Sequence, residues 1–357
     1  MGGTLGNMKN PIFTGLWGNC HIQGIAVDNK KGFIYYSFTT KLIKATLDGE
    51  IVGTVDGLLG HLGCIAFNEK DGKIYGSLEY KNDKIGKGIL TAIGSSASLN
   101  DAFYIAIFDV DKIDRLNMSA EKDGIMKCVY LKEVVNDYLG EGRDISGQTV
   151  PHKYGCSGID GTTFAPLPGK SVEDGLYLYV AYGIYSDVNR EDNDHQVLLC
   201  YDISDWDEIA MTLNQYDMHA NGPGEPLRKF FVYTGNTTFG VQNLEYDKHT
   251  KSLFMAVYRG VKSQFPNYAL FVADISKSAV RQELAGVGEI GYTIPLAKLG
   301  EEKNGIYGWD FPYGSTGLYS YGDGRWMISH NSIQEGQQCS DIFAYKWDDA
   351  RGFELLD

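Results

Sequence analysis

The chain carries a small set of side chains that could perform acid–base chemistry. The candidate catalytic residues are imidazoles, carboxyl groups, one phenol and one guanidinium: His21, His61, Glu79, Asp160, Tyr258, Arg259, Asp310 and His330. Two carboxyl groups that flank a bond, one protonated and one ionised, are what glycoside hydrolysis requires. A phenol or imidazole base beside a cation could instead remove the proton next to a uronate carboxyl group. Either chemistry requires residues far apart in sequence to meet.

The pattern that could bring them together is a unit of four strands that recurs five times. Each copy has a first strand with a polar start, an aromatic second strand, a third strand that ends near an Asp in most copies, and a shorter fourth strand. The first strands are predicted at residues 21–27, 61–67, 158–164, 240–246 and 307–313. A unit of this length cannot bury both of its faces alone, so the repeat is typical of blades around an axis. We therefore predict an all-β fold, a β-propeller of five four-stranded blades, as a single domain over residues 1–357.

A six-bladed propeller is the alternative, because the stretch between Phe67 and Phe164 is long enough for another blade. Closure of the ring can also be predicted. Residues 12–15 resemble residues 232–235, and both segments precede a first strand. We expect the N-terminal segment to form the outer strand of the last blade, which would remove an open edge. Residues 353–356 compete for the same place.

Alignment of the first strands predicts rings of side chains at the mouth of a central channel. One ring is His21, His61, Gly158, Gly240 and Tyr307, and a second ring, two residues further in, is Gln23, Gly63, Asp160, Gln242 and Trp309. Alternation along a strand points both rings to the same side. The second strands end nearby, at Thr39, Glu79, Tyr182, Tyr258 and Asn331, with Arg259 and His330 adjacent. The candidate ligand-binding residues are Gln23, His152, Tyr154, Tyr182, Gln242, Asn243, Tyr307, Trp309 and Asn331.

The long loops fall mostly on this same face, where binding usually resides. Four of the seven histidines, including His152, map to this one rim. The competing interpretation is structural, because polar side chains on inner strands also satisfy backbone groups or hold channel water.

The repeats resemble those of known propellers. Residues 23–28 and 242–247, each followed by an apolar second strand, look like the repeats of the NHL and senescence-marker-type lactonase propellers. That resemblance implies calcium held on inner strands, for which Asn243, Asp160 and Asp310 are the nearest equivalents. In blade count the chain is similar to the arabinanase and fructosidase families. Its imidazoles resemble those of metal-holding propeller lyases. The cofactor stays open at this point, with a divalent metal in the channel, calcium or a transition ion, as one option.

Composition narrows the classes of partner. The net charge is −14, from 32 basic and 46 acidic residues, which argues against nucleic acid. No apolar run is long enough to span a membrane. Residues 1–10 lack a basic start and an apolar core, so the chain as written reads as cytoplasmic, or as extracellular if a leader was removed. The six cysteines show no paired spacing and read as buried hydrophobic residues.

These observations favour a carbohydrate-directed propeller that binds an oligosaccharide at the channel mouth, and whether it also cleaves the ligand, as a glycosidase or lyase, stays open. The alternative is a non-enzymatic propeller whose loop face docks a protein partner. Gly-x-Ser-x-Gly, P-loop and dinucleotide fingerprints are absent from the sequence.

Overall fold

A computed structural model describes residues 9–356, so residues 1–8, on which the leader expectation largely rests, lie outside the described residues. The chain forms five blades around one axis. Strand β1 (Ile12–Phe13) comes first. Blade 1 contains β2 (Ile22–Asp28), β3 (Phe33–Phe38), β4 (Lys41–Thr46) and β5 (Ile51–Asp56). The short β9 (Met118–Ser119) lies on the edge of blade 1. Blade 2 contains β6 (His61–Asn68), β7 (Lys73–Tyr80), β8 (Ala102–Phe108) and β10 (Met126–Tyr130).

A hairpin of β11 (Glu141–Arg143) and β12 (Thr149–Pro151) precedes blade 3, which contains β13 (Cys156–Ala165), β14 (Tyr177–Ile184), β15 (His195–Tyr201) and β16 (Arg228–Tyr233). Blade 4 contains β17 (Thr237–Asp247), β18 (Ser252–Arg259) and β19 (Leu270–Asp274). The next two strands, β20 (Val280–Glu283) and β21 (Ile290–Thr293), extend the sheet of blade 3. A separate hairpin pairs β22 (Glu301–Lys303) with β23 (Ile306–Gly308). Blade 5 contains β24 (Leu318–Ser320), β25 (Arg325–Gln334), β26 (Gln337–Asp348) and β27 (Gly352–Leu355). The helices are α1 (Lys84–Ala92), α2 (Lys132–Leu139) and α3 (Trp206–Ile209).

The hydrophobic core lies between the blades. The described residues form five buried apolar clusters, and each cluster joins two neighbouring blades, including blade 5 with blade 1. Strands rich in Tyr, Phe, Ile and Val suit these interfaces, because aromatic and β-branched side chains pack well on a pleated surface. The inner strands β2, β6, β13, β17 and β24 contact one another in that order, and β24 contacts β2. The ring is therefore closed, and the prediction of a five-bladed propeller is confirmed.

Both chain ends complete blade 5. Phe13 of β1 pairs with Asp341, and Phe353 of β27 pairs with Trp347, so the two short strands share one edge of β26. The predicted N-terminal outer strand is confirmed, and its predicted competitor occupies the remaining length of the same edge. No sixth blade forms between Phe67 and Phe164, where the chain builds the last three strands of blade 2, the short edge strand β9, two helices and a hairpin.

The predicted first strand of blade 5 is wrong. The inner strand is β24, whereas residues 307–309 lie on the outer side of blade 4, where the backbone of Trp309 bonds to that of Leu270. Blade 4 has only three strands of its own, so its outer edge needs this segment to satisfy its backbone groups. Sequence alternation alone could not distinguish the two roles.

Asn243 of β17 closes the axis. Its side-chain amide donates to the carbonyl oxygens of Gln23 in blade 1, at 2.7 Å, and of Ser315 before blade 5, at 3.0 Å. Its carbonyl oxygen lies 3.5 Å from the Cys64 Sγ of blade 2, and the residue is 0% exposed. Asn243 therefore crosses the channel and separates its two ends. The prediction that it binds ligand is replaced by this structural role.

Glu245 lies two residues further along β17 and links other blades. Its carboxyl group accepts hydrogen bonds from the Ser320 backbone at 2.9 Å and from Thr163 Oγ1 at 3.3 Å. Burial raises the pKa of Glu245 to about 8. The folded protein therefore holds this proton over a pH range in which an unfolded chain has lost it.

We expect this proton to make stability depend on pH. The unfolded chain releases it near pH 4.5 and the folded chain near pH 8, so the stabilising contribution is complete at acid pH and is lost as pH rises through that window. The variant Glu245→Gln should gain on the order of 2 to 4 kcal/mol over wild type between pH 5 and pH 8. Urea unfolding at several pH values measures this change. The exposed control Glu225→Gln should show no such gain, and a pH-independent difference for Glu245→Gln would contradict the assignment.

Candidate functional site

A cavity of about 280 Å³ opens at the channel mouth. Blades 1 to 4 and helix α1 supply its walls, through His21, Gln23, His61, Glu79, Lys81, Ile85, Ser157, Ile159, Asp160, Gly183, Phe239, Gln242 and Tyr258. Seven of the candidate residues thus meet at one place: His21, Gln23, His61, Glu79, Asp160, Gln242 and Tyr258. They come from the inner strands and from the ends of second strands, as the alignment predicts.

Glu79 is the centre of a buried charged cluster. It lies directly opposite His61 in the pairing of β6 with β7, and its Oε1 is 3.4 Å from His61 Nδ1, an ion-pair distance without good hydrogen-bond direction. The same oxygen is 2.5 Å from Lys81 Nζ. Its Oε2 accepts a hydrogen bond from the Ile159 backbone at 3.0 Å. The carboxylate is therefore held in one orientation by three groups.

The charges of this cluster stabilise one another. Burial alone would raise the pKa of Glu79, but Lys81 and His61 outweigh it and lower that pKa below its usual value. Burial likewise opposes the charged forms of Lys81 and His61, yet Glu79 leaves both of their pKa values raised. Glu79 is therefore ionised at neutral pH.

Asp160 has the opposite preference. Burial raises the pKa of Asp160 to about 7, with the Glu79 charge adding to the rise and His61 opposing it. Its Oδ1 accepts a hydrogen bond from the Cys64 backbone at 3.3 Å. A substantial fraction of Asp160 therefore carries a proton at neutral pH, close to a carboxylate that does not.

Two glycines make room for these carboxyl groups. A Cβ atom at Gly63 would collide with Asp160 Oδ1, and a Cβ atom at Gly158 would collide with Glu79 Oε2. Any side chain at either position would therefore push a carboxyl group out of place.

The opposite wall of the cavity is polar and neutral. The Gln23 amide donates to His21 Nε2 at 3.1 Å and to Thr39 Oγ1 at 3.0 Å. Burial lowers the pKa of His21 to about 4, with the nearby His61 adding to the effect. His21 is therefore an uncharged imidazole at neutral pH.

An exposed aromatic ring lies at the entrance. Phe239 is 41% exposed although it lines the cavity, and its φ of 64° is one that bulky residues rarely adopt. Its carbonyl oxygen accepts a hydrogen bond from Gln242 Nε2 at 3.0 Å, and the Tyr258 ring meets it edge-on at 6.2 Å. Such outliers persist where the surrounding structure holds them, and they cluster at functional sites.

Lys81, Ser157 and Phe239 line the cavity but were not predicted. Lys81 could have been found, because it follows Glu79 by two residues and strand alternation places both on one side. Phe239 carries no motif, since its position depends on a backbone conformation that the sequence does not signal.

The other predicted residues lie elsewhere. Tyr307 belongs to β23 and Trp309 packs against Trp347 at 5.0 Å, both away from the axis. Asp310 pairs with Arg259 on the surface. Neither of that pair lines the cavity, so the lyase interpretation loses the guanidinium predicted for it and the glycosidase interpretation loses Asp310 as a third carboxyl group.

His330 and Asn331 also miss the mouth, since β25 continues into an exposed hairpin. His330 stacks on Tyr313 at 3.5 Å and shares a hydrogen bond with the Tyr345 hydroxyl at 2.8 Å. Burial lowers the pKa of His330 to about 4. Asn331 donates a hydrogen bond to Gln338 at 3.3 Å.

Three residues of blade 3 and the loop before it are used in packing. His152 Nδ1 lies 2.6 Å from the Tyr138 carbonyl oxygen. The Tyr154 hydroxyl donates to Glu289, and the Tyr182 hydroxyl donates to Asp137, each at 2.7 Å. Loop length and strand register had placed them near the rim, but their side chains point into the packing between elements.

The residues at the mouth do not fit a metal ion. Within residues 9–356 no group of three or more His, Cys, Asp or Glu is arranged to hold one. The side chains that could act as metal ligands bond to each other, as Gln23 does with His21.

All six cysteines are free thiols, five of them buried. No helix within residues 9–356 has the length and apolar character to cross a membrane.

Comparison with known proteins finds no matching family model and no matching curated protein. Solved structures with a similar chain course do exist. A functionally unknown protein from Desulfotomaculum acetoxidans matches with a TM-score of 0.36 and 10% identity, over 94% of this chain and 69% of that one. The pyranose dehydrogenase PQQ domain from Coprinopsis cinerea, in its holo form, matches with a TM-score of 0.34 and 12% identity, over 89% and 81%. The periplasmic gluconolactonase of Pseudomonas aeruginosa matches with a TM-score of 0.33 and 9% identity, over 94% and 71%. At such low similarity no residue role carries over.

Proposed function

We propose that the channel mouth binds the end of an oligosaccharide and hydrolyses its glycosidic bond. One observation carries the proposal: Glu79 and Asp160, from adjacent blades, are the two carboxyl groups that line the cavity in the described part of the chain. Glycoside hydrolysis requires one carboxyl group of each protonation state. Lys81 and His61 favour the ionised form of Glu79, and burial favours the protonated form of Asp160.

Each group then has one task. Asp160 gives its proton to the leaving oxygen as the glycosidic C–O bond breaks and its electron pair passes to that oxygen. The fixed charge of Glu79 stabilises the positive charge that develops on the sugar ring. Water adds to the anomeric carbon and releases a proton, and Asp160 regains its acid form.

The neutral wall and the aromatic ring suit a sugar. His21, Gln23 and Gln242 offer hydrogen-bonding groups without charge, as hydroxyl groups require. The exposed face of Phe239 can cover the apolar face of a sugar ring. The cavity volume is near the lower end of the range for ligand pockets, so it suits a terminal sugar unit better than a whole chain.

Removal of the aromatic platform should weaken binding without loss of the fold. We expect Phe239→Ala to bind oligosaccharides about tenfold more weakly, the size of one ring contact, because the ring is 41% exposed and contributes little to the core. A panel of neutral and acidic oligosaccharides, assayed for binding by calorimetry and for release of reducing ends, measures both steps. The control is Tyr216→Ala, whose ring is 72% exposed and lines neither end of the axis. If no sugar on the panel binds, the result contradicts this proposal and favours the alternative, a non-enzymatic propeller that docks a protein partner.

A further inference from the structure

The axis has a second cavity at its other end. This cavity, which we call the basin, measures about 920 Å³, and Phe67 and Tyr246 are among the residues that line it. It shares no lining residue with the mouth. Phe67 is six residues beyond His61 on β6, a distance of roughly 20 Å along a strand. The basin is therefore a separate place on the molecule.

Each blade contributes one apolar or aromatic side chain to the floor of the basin. These side chains come from the inner strands, near the end opposite the mouth: Val27, Phe67, Phe164, Tyr246 and Tyr319. The four aromatic residues are only partly buried, unlike the inter-blade core, where rings such as Tyr104 are 0% exposed. Partly open aromatic rings thus surround the axis.

The acidic groups around these rings already have partners. Glu69 pairs with Lys30 at 3.1 Å, and Asp207 pairs with Lys73 at 2.7 Å. Asp71 accepts a hydrogen bond from a tyrosine hydroxyl at 2.7 Å, and Asp202 accepts one from the Ser204 backbone at 3.0 Å. Carboxylates engaged in this way attract a further cation only weakly.

Two lysines on the rim, by contrast, have free ammonium groups. Within residues 9–356, Lys70 and Lys248 form no ion pair or side-chain hydrogen bond, and both are exposed. The lining has three ammonium groups, those of Lys30, Lys70 and Lys248, and four carboxylates, so its net charge is close to zero and slightly negative. The basin therefore offers hydrogen-bond donors and acceptors together with little net charge.

We propose that the basin is a second ligand site and that it takes a neutral oligosaccharide. Partly open aromatic rings match the C–H faces of sugar rings. Sugar hydroxyl groups both donate and accept, so they need the mixture that ammonium, amide and carboxylate groups provide. The balanced charge gives no advantage to an acidic sugar, and the volume lies within the range of ligand pockets. This proposal is independent of cleavage at the mouth.

The experiment uses Asp160→Asn protein, so that cleavage during the measurement is suppressed, and measures binding of cellotetraose and xylotetraose by calorimetry. Two further substitutions alter the basin: Tyr246→Leu removes one ring, and Ser204→Trp fills space from an exposed position. Each should weaken one binding step at least tenfold, and Tyr216→Leu should weaken none. The second variant keeps the test valid if Tyr246→Leu is unstable.

Other outcomes decide between the two sites. A step that survives Phe239→Ala but not Ser204→Trp belongs to the basin, even if the mouth binds nothing. If neither basin variant changes binding, the proposal is overturned. It is also overturned if trigalacturonate binds the basin more tightly than the neutral sugars do.

Discussion

Replacement of the buried acid, Asp160→Asn, should reduce oligosaccharide hydrolysis by about 10²- to 10⁴-fold, the usual contribution of a positioned proton donor. The amide keeps the size of the side chain and can still accept the hydrogen bond from the Cys64 backbone. It cannot give a proton to the leaving oxygen. Binding of the oligosaccharide should therefore persist while turnover falls, and the comparison of kcat with the calorimetric Kd measures this.

The pH profile of the wild type provides a second readout. Because Asp160 has a pKa of about 7, its acid form disappears as pH rises through neutrality, and kcat/KM should fall over the same interval. Glu79 has a lowered pKa, so its charge should persist on the acid side. Full activity in Asp160→Asn, or activity that rises through pH 7, would contradict this role.

The second large effect concerns stability. Lys81→Met should destabilise the protein by about 3 to 5 kcal/mol, because it leaves Glu79 as a buried carboxylate without its closest cation. Lys81 and Glu79 are among the most buried ion-pair partners, with side chains 5% and 4% exposed. Urea unfolding at pH 7 measures the loss. The double variant Glu79→Gln, Lys81→Met should recover much of it, since no buried charge is then left unpaired.

A surface pair supplies the control. Lys73 and Asp207 form an ion pair at 2.7 Å, with side chains 27% and 77% exposed. Lys73→Met should cost less than about 1 kcal/mol, since water and salt screen an exposed pair. If Lys81→Met is equally mild, Glu79 is not held as a carboxylate by Lys81.

The architecture could be predicted from the sequence because the same pattern of strands recurs along the chain. Four of the five inner strands lie where the alternation places them, and the opposition of His61 to Glu79 follows from antiparallel pairing of the first two strands in a blade. Blade 5 was placed wrongly because an aromatic outer strand around Trp309 has the same alternation as an inner one. Its true inner strand, β24, is only three residues long.

The composition of the site was predictable only in part. Residues of the first strands, such as Gln23 and Asp160, followed from alignment of those strands. Arg259 follows Tyr258, which lines the cavity, but a one-residue step along a strand reverses the side-chain direction. His330 misses the mouth because β25 continues into a long hairpin. Phe239 depends on a left-handed backbone conformation, and Asn243 depends on contacts across the axis. Neither leaves a signal in local pattern.

The position of Asn243 determines whether a ligand can pass along the axis of the propeller. Since this side chain bonds to blades on several sides of the axis, nothing the size of a sugar can pass from one face to the other without breaking those bonds. A ligand that enters at the His61 end must leave through the same opening, so one product has to dissociate before the next substrate binds. A polymer cannot be threaded through.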